Sequence, residues 1–279
     1  MADAFGDRVA AAVRATGPLC AGIDPSPELL EDWGLSDDAH GLRTFGATCV
    51  EAFAGEVGVV KPQVAFFERH GAAGMAELER LVAQARAAGL LVINDAKRGD
   101  IDTTAQAYAD AWLGDASPLA ADAVTVHAYL GLGALQPMVR LAARTGRGVF
   151  VVVRSSNPEG RGLQQAVTAE GASVEDTLLR EIAALNGSTE VPPGTVGAVI
   201  GATLPRSDFP LDQLRGVILA PGLGAQGARP ADVAARFAGC APGSVLPSSS
   251  RGLLRHGPAP DSLRSYARSL VRELSVAMG

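Results

Sequence analysis

Short apolar runs recur along the chain, each followed by a polar or glycine-bearing turn and then an alanine-rich stretch. The runs are Leu19–Ile23, Val57–Val60, Leu90–Ile93, Ala123–Val126, Gly148–Val153, Val196–Ile200, Val217–Leu219 and Ser244–Leu246. They are near-continuous in aliphatic residues, the pattern of strands buried on both faces of a parallel sheet. The intervening segments, such as 74–86, repeat apolar residues at i, i+3, i+4 and i+7, the period of an amphipathic helix. Eight such units in 279 residues predict an α/β fold, a single closed (β/α)8 TIM barrel occupying residues 1–279. Periodicity alone leaves a doubly wound open sheet as the alternative. The stretch from about Glu159 to Pro193 is long, polar and partly helical, and reads as an elaborated βα connection with no assigned role.

Composition narrows the class. Hydrophobic residues are 47% and charged residues 19%, enough apolar material for a large core, and aromatics are only 5%, so that core is aliphatic. A net charge of −6 argues against nucleic-acid binding through a basic surface, while leaving room for a small anion held by a few placed cations. The longest apolar runs fall well short of the ~18 residues of a membrane helix, and residues 1–8 lack the apolar core of a signal peptide. Cys20, Cys49 and Cys240 are odd in number and widely spaced, matching neither a disulfide framework nor a zinc site. A cytoplasmic location is expected, with neither membrane nor nucleic acid as partner.

Polar residues gather where the apolar runs end: Asp24, Lys61, Asp95 with Lys97, His127, Arg154 with Ser155 and Ser156, Pro221-Gly222, and Ser248 to Arg251. In a parallel barrel these positions face one rim, where active sites are built. The densest cluster is Asn94-Asp95-Ala-Lys97-Arg-Gly-Asp100-Ile101. Strand alternation predicts Asp95 and Lys97 on one side of the extended chain, with Asp100 in the turn beyond. Lys61 adds a second cation from the preceding strand. Two cations and two carboxylates within reach can hold an ammonium charged and aim its proton. An ordinary salt-bridge network at a loop is the plain alternative.

Two further loops suggest phosphate. Gly222, Gly224 and Gly227 satisfy G-x-G-x-x-G, but no acidic residue lies between Asp232 and Asp261, where a dinucleotide fold needs one ~20 positions on. A glycine loop whose backbone N–H groups approach a phosphate is the better reading. Ser248-Ser-Ser-Arg251 follows the last run, and barrels often hold phosphate with the loops after strands 7 and 8.

Asp95-x-Lys97-x-x-Asp100-Ile101 with Lys61 upstream resembles the catalytic signature of the orotidine 5′-phosphate decarboxylase family. The Pro221-Gly-x-Gly-Ala-Gln226-Gly loop and Arg251 resemble that family's phosphate-gripping elements, and Asp24 in Gly22-Ile-Asp-Pro matches its aspartate after the first strand. Asn157-Pro158 and the insert that follows are similar to the longer-chain (type 2) subfamily. Ser250 departs from the glycine that often precedes the arginine, and Val126-His-Ala-Tyr129 has no clear counterpart.

The resemblance implies a carboxy-lyase that makes uridine 5′-phosphate at the last step of de novo pyrimidine biosynthesis, using no metal and no cofactor. It implies Lys97 protonating C6 as carbon dioxide leaves, with Asp95 and Asp100 flanking the substrate carboxylate. Lys61 would tie ribose and carboxylate together, Asp24 would hold a ribose hydroxyl, and Ser156 would meet the pyrimidine edge. Pro221, Gln226 and Arg251 would line the phosphate end. Asp100, Ile101 and Thr104 would reach into a neighbouring subunit, implying a homodimer with shared sites.

Two rivals stand beside this reading. Sugar-phosphate enzymes on related barrels share Asp-x-Lys-x-x-Asp but carry a magnesium-binding glutamate where this chain has Lys61. A non-catalytic barrel that only binds nucleotide phosphate is the other. His40, His70 and His256 read as surface groups, Trp33 and Trp112 as packing residues, and His127 as either a rim or a structural histidine.

Overall fold

Strand alternation organises the molecule. The structure, a computed structural model, describes residues 3–205, 208–224 and 227–279. Its strands are β1 (Cys20–Ile23), β2 (Val59–Pro62), β3 (Leu91–Arg98), β4 (Ala123–Val126), β5 (Gly148–Arg154), β6 (Val196–Ile200), β7 (Ile218–Pro221) and β8 (Val245–Ser249). All pair in parallel and in chain order, and β1 closes on β8 through Cys20 opposite Ser248 and Ala21 opposite Ser249. The predicted closed α/β barrel is the observed fold, and the open sheet is excluded.

Each strand is apolar on both faces because each face has its own core. Outward residues such as Ala21, Val60, Val92, Val124, Val151 and Ala198 pack under the helices. Inward residues Cys20, Val59, Ile93, Ala123, Phe150, Leu219 and Leu246 form a separate interior layer. The helix Gly71–Ala87 shows how the outer layer is made: Gly74, Leu78, Leu81, Val82 and Ala85 line its buried stripe. Its one buried acid, Glu77, accepts from Arg43 Nε at 3.1 Å and Nη2 at 2.7 Å. The helix Pro260–Met278 buries Leu263, Ala267, Leu270 and Leu274 at the same period.

One end of the barrel is sealed. The helix Phe5–Thr16 sends Phe5 and Val9 into the interior layer, and Phe5 meets Phe150 edge to face with centroids 5.7 Å apart. Gly148 has no side chain because a Cβ there would stand 2.4 Å from the Phe5 ring. Only the carboxyl ends of the strands remain open. There the inward rows turn polar, giving Asp24, Lys61, Asp95, Arg154 and Ser248.

The connection between β5 and β6 is the elaborated one. It carries 3-10 turns over Pro158–Gly160, a short helix Arg161–Gln164 and a longer helix Val174–Asn186. Ser173 caps the longer helix by accepting from the Asp176 nitrogen at 3.1 Å. Among the described residues, no helix is long and apolar enough to cross a membrane.

Candidate active site

A cavity of about 330 Å³ opens at the carboxyl mouth of the barrel, within the range of small-molecule sites. Its wall draws on nearly every strand, with Asp24 after β1, Lys61 on β2, Asp95 and Lys97 on β3, Ser156 beyond β5, Pro221 on β7 and Arg251 beyond β8. Seven of the residues expected at the site thus share one cavity.

Asp95 is its electrostatic centre. Oδ2 accepts from Lys61 Nζ at 2.9 Å and Gln63 Nε2 at 3.3 Å, while Oδ1 accepts from Lys97 Nζ at 2.6 Å and Thr125 Oγ1 at 2.8 Å. All of its acceptor capacity is used. Burial opposes ionisation of Asp95, but the Lys61 and Lys97 ammonium groups outweigh it and hold the carboxyl well below the usual range. Burial also disfavours charge on Lys61, yet the Asp95 and Asp24 carboxylates overcome it and raise its pKa. The result is a fixed cation–anion–cation row, with Lys61 and Asp95 buried and the Lys97 side chain 40% exposed into the cavity.

Strand alternation does not by itself place Lys97. The β3–β4 register shifts between Asn94 and Arg98, and Lys97 has φ +49°, a left-handed conformation unusual for a residue with a Cβ. Thr125 braces it: the Lys97 backbone N–H donates to Thr125 Oγ1 at 3.0 Å. Such strain persists only where surrounding contacts over-determine it, and it clusters at functional sites. Thr125 and Gln63 were not singled out from sequence. Both were accessible in principle, Thr125 as the one hydroxyl in the β4 run and Gln63 as the alternate position after Lys61.

Asp24 is positioned differently. Burial raises its pKa, partly offset by Lys61 and by a hydrogen bond from Ser250. Its Oδ1 is buried without a hydrogen-bond partner, an acceptor awaiting a donor. Gly22 makes room for Ser250 here, since a Cβ on Gly22 would stand 1.8 Å from Ser250 Oγ. The departure at Ser250 therefore adds a hydroxyl beside Asp24.

At the β7–β8 side, Pro221, Gly222, Leu223, Ser250 and Arg251 line the cavity. Gly222, Gly224 and Gly227 all have positive φ. The expectation of a loop with its N–H groups turned to an anion is narrowed. Gly224 N–H donates to the Ala228 carbonyl at 2.9 Å and Gly227 N–H to the Gly224 carbonyl at 2.8 Å, so both serve the loop itself. Gln226 lies outside the described residues.

At the β5–β6 side, Val152, Arg154, Ser155, Ser156, Val199 and Gly201 form the wall. The buried Arg154 donates to Glu175 Oε1 at 2.9 Å. Asp100, Ile101 and Thr104 are not brought into this cavity. Asp100 accepts from the Ile101 nitrogen at 2.8 Å, Ile101 is 50% exposed, and Thr104 is exposed on the helix Asp102–Leu113.

His127 lies outside the cavity wall with its ring only partly covered, its pKa lowered by that partial desolvation and by Lys97. His40 is exposed, whereas His70 and His256 are half-buried, against Asp37 and stacked on Tyr266 respectively. Trp33 and Trp112 are buried packing residues, as expected. Among the described residues, no three His, Cys, Asp or Glu side chains converge as a metal-binding group.

Residues 17–266 match the model of the orotidine 5′-phosphate decarboxylase / HUMPS family. The curated orotidine 5′-phosphate decarboxylase of Streptomyces coelicolor is 51% identical over 275 residues, covering 98% of each chain. That of Salinispora tropica is 50% identical over 276 residues, covering 99% of each. A crystal structure assigned to the same enzyme from Streptomyces avermitilis superposes with a TM-score of 0.93 at 51% identity, covering 99% of this chain and 96% of that one. A family match across most of the barrel and half-identical relatives along nearly the full length lead to one conclusion: the chain belongs to the orotidine 5′-phosphate decarboxylase family.

Proposed function

We propose that the chain decarboxylates orotidine 5′-phosphate to uridine 5′-phosphate and carbon dioxide, with neither metal nor organic cofactor. The Lys61–Asp95–Lys97 row at the barrel mouth carries this reading. Loss of carbon dioxide breaks the bond to C6 and leaves its electron pair in an in-plane orbital that the ring carbonyls cannot delocalise. A cation fixed beside that carbon is what such a carbanion requires. Lys97 Nζ, aimed by its 2.6 Å bond to Asp95, stabilises the developing charge and transfers its proton to C6. The neutral amine then regains a proton from solvent.

The remaining contacts position the nucleotide. Asp24, with its buried unpartnered oxygen, accepts from a ribose hydroxyl, and Lys61 links that end to Asp95. Ser156 meets the pyrimidine edge, and Arg251 holds the phosphate beside Pro221 and Gly222. Binding energy from these remote groups orients the reacting carbon. Lys61 also speaks against the magnesium-dependent sugar-phosphate chemistry of related barrels, because its ammonium occupies the place where a metal-binding carboxylate would be needed.

The active unit in this reading is a homodimer. Asp100, half-buried, and Ile101 and Thr104, both exposed, lie outside the cavity of their own chain. Placed against a second copy, they add a further carboxylate and an apolar side chain to its site.

The decisive experiment follows orotidine 5′-phosphate by ultraviolet absorbance, with and without a chelator. Turnover unaffected by chelation is expected. Activity lost to the chelator and restored by magnesium would overturn the proposal.

A further inference from the structure

The long β5–β6 connection has no part in the chemistry above, yet it grips the wall of the cavity at two points. Gln164, at the end of the short helix Arg161–Gln164, bonds Ser155 twice. Its Oε1 accepts from the Ser155 nitrogen at 3.1 Å, and its Nε2 donates to Ser155 Oγ at 2.9 Å. Glu175, in the first turn of the helix Val174–Asn186, accepts from Arg154 at 2.9 Å. Arg154 and Glu175 are both buried, and a buried pair of this kind is costly to break from one side. Their neighbours close the frame. The Arg154 carbonyl accepts from the Gly201 nitrogen at 2.9 Å, and Asp176 Oδ1 accepts from the Phe209 nitrogen at 3.0 Å. The residues held directly are thus Arg154 and Ser155, immediately before Ser156.

We infer that the segment 158–186 is a clamp that fixes the loop receiving the base, with Gln164 and Glu175 as positioning residues that act through Ser155 and Arg154. The inference rests on the proposed placement of the pyrimidine at Ser156. A loop following a strand end is free to relax unless its backbone polar groups are tied down. Here the Ser155 N–H is tied by Gln164, and the Arg154 side chain is pinned by a carboxylate from another helix. The clamp lies at the base end of the cavity, while Arg251 and Asp24 belong to other strands. Its loss should therefore affect only ligands that carry a base.

The test compares binding of uridine 5′-phosphate and ribose 5-phosphate by titration calorimetry, for the wild-type chain and for Gln164→Ala, Glu175→Gln and Ser156→Ala. Gln164 is half-buried on a short surface helix, so its variant keeps the fold even if Glu175→Gln does not. Gln164→Ala should weaken uridine 5′-phosphate about fivefold to tenfold, the scale of lost neutral hydrogen bonds, and change ribose 5-phosphate by less than about twofold. Ser156→Ala should discriminate in the same sense. A purely structural role for Gln164 would lower the melting temperature and leave both ligands alone, or weaken both equally. Either result, with Ser156→Ala still discriminating, overturns the clamp and leaves the Ser156 assignment standing. If Ser156→Ala itself fails to discriminate, the base does not lie at this loop and the clamp falls with that reading.

Discussion

Thr125 Oγ1 lies 2.8 Å from Asp95 Oδ1 and donates to it, while accepting the backbone N–H of Lys97 at 3.0 Å. One buried hydroxyl thus orients the central carboxylate and holds the left-handed backbone from which the proposed proton donor projects. Replacing it with an isosteric methyl removes both bonds without changing the volume of the wall.

Thr125→Val should accordingly lower kcat by about thirtyfold, from roughly 2 kcal/mol of lost orientation at two hydrogen bonds. Binding of uridine 5′-phosphate should change little, because the nucleotide makes no proposed contact with Thr125. Thr125→Ser should restore most of the rate. A valine variant with normal kcat would mean that Lys97 and Asp95 hold their geometry without the hydroxyl.

Lys97→Ala should abolish nearly all turnover while uridine 5′-phosphate still binds, since the phosphate and ribose contacts remain. The discriminating quantity is kcat from ultraviolet assays. Retention of more than about a tenth of the wild-type value, a barrier change under about 1.4 kcal/mol, would remove Lys97 from the proton-transfer role.

Arg251→Ala separates the phosphate grip from the chemistry. It should weaken substrate binding by about 2–4 kcal/mol, the scale for losing one side of a desolvated charged pair, chiefly in KM. Orotidine, lacking the phosphate, should be a poor and nearly equal substrate for both proteins. Equal damage to both substrates would show that Arg251 does something other than hold phosphate.

The buried row has a definite pH signature. The folded pKa of Asp95 is depressed, burial notwithstanding, because Lys61 and Lys97 favour the carboxylate. Its contribution to stability is therefore present above the unfolded carboxyl value of about 3.9 and lost as pH falls through the lower folded value. Asp95→Asn should be less stable than wild type at pH 7 by about 3 kcal/mol, since it leaves Lys61 buried without its carboxylate. That gap should narrow below about pH 4, where the unfolded wild-type carboxyl is protonated. Urea unfolding at several pH values measures it, and a gap that widens in acid would reverse the assignment.

Thiol reactivity reports on the interior. Burial pushes the Cys20 thiol up to about 12, and Cys49 is likewise raised by burial, whereas Cys240 is half-buried. A thiol-titrating disulfide reagent at pH 8 should modify Cys240 in the native protein and all 3 cysteines after unfolding. Rapid native labelling of Cys20 would show that the barrel interior opens.

The eight strands were legible in the sequence because each must be apolar on both faces, one toward the helices and one toward the interior, and that demand leaves a continuous run. Asp24, Lys61, Asp95 and Arg251 were legible for the complementary reason, as polar groups at the ends of those runs, where the interior row opens to solvent. The tertiary structure alone decided what lies across from them. Local periodicity carries no information about which residue of β4 stands opposite Asp95, so Thr125 read as one more strand residue. The same limit hid the bulge at Lys97, where pairing with β4 replaces the regular pleat by a left-handed turn. It also hid Gln164 and Glu175, whose partners are set by how a long connection folds back onto β5. Asp100, Ile101 and Thr104 mark the far edge of that limit: they follow the same strand as Lys97, yet the turn after β3 carries them out of the cavity and onto the surface of the chain.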